Sequence, residues 1–164
     1  MKSRPSPREY HWGLVITNDS GQPVLHHATN LAGPWKYEER QVQSAIDPSL
    51  IVLVKASGVS NVLRATQIIQ SVPADGKPSR RTGNAFTCRT WAKDTLVELH
   101  DKGEISLPND IGASARAPNG TALMLTHGTD MIETQAIGYA ERYAADSQQG
   151  KGAAVINGAF ASSP

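Results

Sequence analysis

Tyr10-His11-Trp12-Gly13-Leu14-Val15-Ile16-Thr17 runs into Asn18-Asp19-Ser20-Gly21-Gln22, and Pro23-Val24-Leu25-His26-His27-Ala28-Thr29 returns from it. The two flanks are rich in aromatic and β-branched residues, which suit a pleated, half-buried surface. The segment between them is turn chemistry: short polar side chains that bond their own backbone, and a Gly free to take positive φ. The spacing predicts a β-hairpin. A turn centred between Ser20 and Gly21 would set Val15 opposite His26, and a shift of one residue would bring His27 there instead. Neighbouring strand residues point to opposite faces, so only one of His26 and His27 can share a face with His11.

Beyond the hairpin, Trp35 to Val42 reads as a third strand with one wet face, and Leu50 to Ala56 as the most buried strand of the chain. Ser60 to Ser71 has helical spacing and is stopped by Pro73. Phe86, Cys88, Trp91, Ala92, Thr95, Leu96 and Leu99 fall at three- and four-residue steps, opposite Arg89, Lys93, Asp94, Glu98 and Asp101. That pattern predicts an amphipathic helix, capped by Thr87 or Asn84 and ended at Gly103. Residues 103–121 read as irregular, Ala122 to Thr126 as a short strand, and Thr129 to Ala145 as a last helix. The expected organisation is an arm over residues 1–9, one domain over 10–150, and a tail over 151–164 without a strong pattern.

The 164 residues suit one such domain, and a chain of this size can bury a core without staples. Sixteen basic against fifteen acidic residues leave a formal charge of +1, so the chain has no cationic footprint for nucleic acid. Its single cysteine rules out an internal disulfide and a multi-cysteine metal site. The longest apolar run, Leu50 to Val54, is far short of the roughly 20 residues of a membrane span, and no secretory pattern follows Met1. The expectation is a cytoplasmic protein.

Chemistry then rests on few residues. Cys88 opens its helix, where free amides carry partial positive charge that stabilises a thiolate and can bind an oxyanion. Most lone cysteines are small buried hydrophobes. Three of the five histidines, His11, His26 and His27, lie in the hairpin. A hairpin carrying His and a helix opening on Cys can set imidazole beside sulfur, as thiol acyl-transfer enzymes require. Lys77, Arg80 and Arg81 form the one dense basic cluster, in a loop before the Cys88 helix.

His-Trp-Gly-Leu-Val-Ile on a first strand, a Gly turn, His on the return, then Phe-Thr-Cys-Arg-Thr-Trp opening a helix resembles the circularly permuted papain-like proteins. Their members include the NlpC-type peptidases and lecithin retinol acyltransferase. The pattern is also similar to small fungal proteins with an N-terminal His-Trp and a later Cys-x-x-Trp. The resemblance covers residues 10–30 and 84–100 well, the strands between them loosely, and 103–164 not at all. It departs in the longer separation of the histidines and in Arg89, where the acyltransferase relatives carry an acidic residue.

It implies an α+β fold in which the hairpin enters an antiparallel sheet and the Cys-bearing helix packs on one face. It implies Cys88 as nucleophile, His11 as base and His27 as the orienting third member, with His26 as the alternative. Trp12, Trp91 and Arg89 would line a substrate groove. The function expected is a cysteine-dependent hydrolase or acyltransferase on a small-molecule or peptide amide, ester or thioester, needing no cofactor. Two rivals stand beside it: a zinc site of Cys88 and two histidines, and a non-catalytic binding protein on the same fold.

Overall fold

The structure is a computed structural model that describes residues 10–18, 20–42, 50–107, 124–149 and 151–157. The arm over residues 1–9, and most of the irregular stretch 103–121, lie outside the described residues. Helices and strands are mixed in an α+β arrangement. Strands β1 (Leu14–Thr17), β2 (Pro23–Thr29) and β3 (Lys36–Gln41) form an antiparallel sheet in the order β1-β2-β3. Strand β4 (Val52–Lys55) pairs in parallel with β5 (Ala154–Asn157) in a second, two-stranded sheet. Helices α1 (Val62–Ser71), α2 (Cys88–Asp101) and α3 (Met124–Gln148) complete the elements among the described residues.

The hairpin register pairs Leu14 with His26 and Val15 with Leu25. This is one residue away from the register that sets Val15 opposite His26. The turn explains the difference. Asn18 N–H donates to the Gln22 carbonyl at 2.8 Å, and Asn18 Oδ1 accepts from the amides of Ser20 and Gln22 at 3.0 and 2.9 Å. An Asx-type turn closed between residues 18 and 22 pivots on Ser20, with Gly21 at φ +76° completing it.

Alternation along these strands divides the sheet into two chemical faces. Leu14 and Ile16 of β1, His26 and Ala28 of β2, and Tyr37 and Glu39 of β3 share one face. Ile16, Ala28, Leu14 and Tyr37 join the main core there, with Ala65 and Ile69 of α1 and Trp91, Ala92, Leu96 and Leu99 of α2. The other face carries Val15, Leu25 and His27, and Leu25 leads a second cluster with Val42, Leu50 and Ala153. The three-stranded sheet is therefore covered on both sides, and α2 packs on the His26 side.

The helix ends obey their local chemistry. Thr87 Oγ1 accepts from Thr90 N–H at 3.0 Å and caps α2, satisfying one of its free amides. At the other end Gly103 N–H bonds the His100 carbonyl and Glu104 N–H bonds the Leu99 carbonyl, both at 2.9 Å, with Gly103 at φ +75°. That pair of bonds is a Schellman terminator. Glu104, 2% exposed, turns back to accept from Asn61 N–H and to pair with Arg64, which ties the start of α1 to the end of α2.

Three expectations are corrected. β4 is only half-buried, because its neighbour is the short β5 and α3 rather than the larger sheet. Residues 124–126 open helix α3 instead of forming a strand, while 122 and 123 lie outside the described residues. Within the tail, Ala154–Asn157 forms β5, a strand too short to show periodicity in sequence.

Candidate active site

Two imidazole systems, not one, emerge from the hairpin. On the Leu25 face, His11 Nε2 and His27 Nδ1 are 2.7 Å apart with their rings edge to face. His27 is the member that meets His11; His26 points the other way. Gly13 packs close against β2: an added Cβ would stand 2.9 Å from the His26 carbonyl oxygen and 3.1 Å from His27 Cβ. Burial holds both rings below the ordinary histidine pKa, and for His27 the neighbouring His11 adds to the effect. Both are therefore neutral near pH 7, sharing one proton across the short contact. His27 Nε2 is buried without a hydrogen-bond partner.

On the opposite face, His26 is 2% exposed and its Nδ1 stands 2.7 Å from Tyr37 Oη. Tyr37 Oη–H donates to Glu39 Oε2 at 2.8 Å, and Gln70 Nε2 of α1 donates to the same carboxylate at 3.3 Å. Burial, with the Glu39 bond and charge, drives the Tyr37 hydroxyl far above its usual range, so it keeps its proton. Hydrogen bonds from Tyr37 and Gln70 hold Glu39 below the ordinary carboxylate value. A phenol has a single proton, and here it points at an ionised carboxylate. Its oxygen must then accept from His26 Nδ1–H, which fixes His26 in the tautomer whose Nε2 carries a lone pair. Burial lowers the His26 pKa and Glu39 opposes that.

Cys88 is half-buried in the first turn of α2, directly after the Thr87 cap. The structure does not join it to His11 or His27: among the described residues no hydrogen bond links the sulfur to any imidazole. α2 packs through Trp91 and Ala92 on the face that carries His26, whereas His27 lies on the other.

A cavity of about 920 Å³ wraps the free edge of β1 and so takes lining from both faces. His11, Trp12 and His27 reach it, as do Ala92 and Leu96 of α2, Leu53 of β4 and Ile132 of α3. Cys88, one turn before Ala92, is not part of the lining.

The remaining expected site residues separate. Trp12 is half-buried and lines the cavity. Trp91 does not line a groove: it is 1% exposed in the main core and its Nε1–H donates to the Val72 carbonyl at 3.3 Å. A large ring on the buried stripe of a helix is core before it is wall. Arg89 is engaged by Glu133 of α3 at 3.1 Å. In the basic loop, Lys77 pairs with Asp75, and Arg81 with Glu98 and Asp101. His100 Nδ1 accepts from Leu107 N–H. The backbone of residue 127 is helical, within α3. Among the described residues no three His, Cys, Asp or Glu side chains gather into a cluster able to hold a metal ion. None of the helices there is long and apolar enough to cross a membrane.

Sequence reading missed Tyr37 and Glu39. The signal was present as parity: in an antiparallel partner of β2, Tyr37, Glu39 and Gln41 share a face that must be His26's or His27's.

No curated protein and no solved structure matches the chain. A family model does match, over residues 1–116, a span that holds the hairpin histidines and Cys88 and stops before α3 and β5. The chain belongs to that family, DUF6914, a family of unknown function.

Proposed function

We propose that the chain is a cysteine-dependent hydrolase or acyltransferase on a permuted papain-like scaffold, acting on an amide, ester or thioester. Cys88 is the nucleophile and an imidazole of the hairpin is its base. The observation that carries this reading is the position of the thiol: half-buried, in the first turn of a capped fourteen-residue helix that packs on the hairpin sheet. Amides at that end favour a thiolate and can bind the oxyanion of a tetrahedral intermediate. The thiolate adds to the carbonyl carbon, the leaving group departs with the proton held by the imidazole, and a thioester remains. Water or an acceptor alcohol or amine then releases the acyl group. The resemblance nominates His11, oriented by His27, as that imidazole.

Intact-mass analysis after incubation with activated acyl donors tests the class. The expected result is one acyl adduct on the wild-type chain and none on Cys88→Ala. Adducts on both, or on neither, contradict it.

One observation favours a second reading, a non-catalytic binding protein: the large, mainly apolar cavity does not include Cys88 in its lining. A ligand that occupies the cavity and protects against thermal unfolding equally in wild type and Cys88→Ala, with no adduct in either, supports that reading.

A further inference from the structure

The lining of the cavity along β1 includes a buried imidazole that the fold leaves half-satisfied. We propose that the cavity binds a neutral lipid-like molecule, an aliphatic body carrying one uncharged oxygen, with that oxygen bonded to His27. The proposal rests on the reading of the cavity as a binding site and is independent of Cys88, which is outside the lining.

The aliphatic body follows from the walls. Leu53 of β4, Leu96 of α2, and Ile132 and Ala136 of α3 join Val15 of β1 in lining the space. Its volume of about 920 Å³ lies near the top of the roughly 300–1,000 Å³ range of small-molecule sites. Folded interiors are close-packed, with few voids larger than a water molecule, and apolar voids stay dry. A space of this size walled mainly by carbon suits a hydrocarbon.

The oxygen follows from the imidazole pair. His27 is 7% exposed, it lines the cavity, and its Nδ1 is engaged by His11 at 2.7 Å. Its Nε2 is buried with no hydrogen-bond partner. Leaving a buried polar atom unpaired costs stability that one hydrogen bond recovers. A ligand oxygen of either kind can supply it, because the proton between the rings has two places. With His27 Nδ1–H donating to His11 Nε2, His27 Nε2 carries a lone pair and accepts from a hydroxyl. With His11 Nε2–H donating to His27 Nδ1, His27 Nε2–H donates to a carbonyl. Each ring keeps one proton in both arrangements.

Neutrality follows from the charges around the site. A carboxylate in an apolar site needs a cation that faces it. Among the described lining residues, Lys93 is held by Asp130 and Glu133, Arg40 is itself engaged, and Lys55 is exposed at the end of β4. Glu38, opposite His27 on β3, pairs with Lys36 and is not in the lining. Burial holds both imidazoles below their ordinary value, so neither supplies a positive charge near neutral pH.

The test is titration calorimetry of the full chain with decanol, methyl decanoate and decanoate, each below its solubility or micelle limit. Decanol and methyl decanoate are expected to bind wild type and Cys88→Ala alike, and decanoate at least about tenfold more weakly. Ala136→Trp, which fills the space, is expected to abolish binding. His27→Leu is expected to weaken decanol about three- to tenfold, the worth of one hydrogen bond. Nitrogen NMR of the histidine rings in wild type decides the matter even if His27→Leu does not fold: decanol is expected to shift His27 Nε2. Tighter binding of decanoate, or decanol binding with no shift at Nε2, overturns the neutral oxygen at His27 and leaves the cavity a binding site. Binding of none of the three overturns both.

Discussion

Gly13 shows how tightly one residue is specified. A methyl group there would stand 2.7 Å from Leu25 Cδ1 and 2.9 Å from the His26 carbonyl oxygen, and the second neighbour is backbone that cannot rotate away. Gly13→Ala therefore pries β1 from β2, with an expected loss of about 1–3 kcal/mol in urea unfolding. At the same scale, burial holds His26 below its ordinary value of 6.5. The unfolded chain thus takes up the proton at a higher pH than the folded one. The stability this ring contributes is complete above about pH 6.5 and is lost as the solution is acidified, with a limiting slope of about 1.4 kcal/mol per pH unit. His11 and His27 act in the same direction. Unfolding midpoints measured from pH 7.5 to 5 should fall, and His26→Gln should flatten that fall; an unchanged profile in the variant would show that His26 does not titrate differently in the two states. The sequence shows that three histidines cluster. It cannot show their faces, because one residue of turn geometry inverts the assignment, and Asn18 chooses a pivot at Ser20.

Elements were readable where local chemistry dominates. α2 has its apolar stripe, its Thr cap and its terminating Gly, and each acts as its residue type requires. Two substitutions measure these ends separately. Thr87→Ala removes the cap and should cost about 1 kcal/mol. Gly103→Ala forces a side chain into the left-handed region and should cost about 1–2 kcal/mol. Chemical denaturation checks both, and additivity in the double variant is expected because the ends are thirteen residues apart in α2. Elements were misread where tertiary context decides. Leu50 to Val54 is continuous and apolar, yet β4 is half-exposed because its strand partner comes from the far end of the chain. Four-residue strands such as β5 carry too few alternations to stand out.

At the scale of the molecule, the antiparallel sheet is sandwiched. α1 and α2 seal the His26 face through Ile69, Trp91 and Leu99, while Leu50 and Ala153 flank Leu25 on the other. α3 is bound to α2 by charge, with Lys93 engaging Asp130 and Glu133, and Arg89 engaging Glu133. The C-terminal segment is therefore part of this architecture rather than an appendage. Ending the chain at residue 150 removes β5, exposes β4 along one edge and strips Ala153 from the second cluster. Such a chain should unfold at a lower urea concentration and exchange β4 amides faster, while amides of β2 and α2 stay protected. Equal loss of protection everywhere would show a single cooperative unit instead.

The thiol itself offers the most direct measurement: the ratio of iodoacetamide alkylation rates at pH 6.0 between the native chain and the same chain unfolded in urea. On the proposed reading Cys88 reacts about tenfold or more faster in the native state, because helix amides stabilise its anion. A native rate equal to or below the unfolded one would contradict the account and leave Cys88 a packing residue.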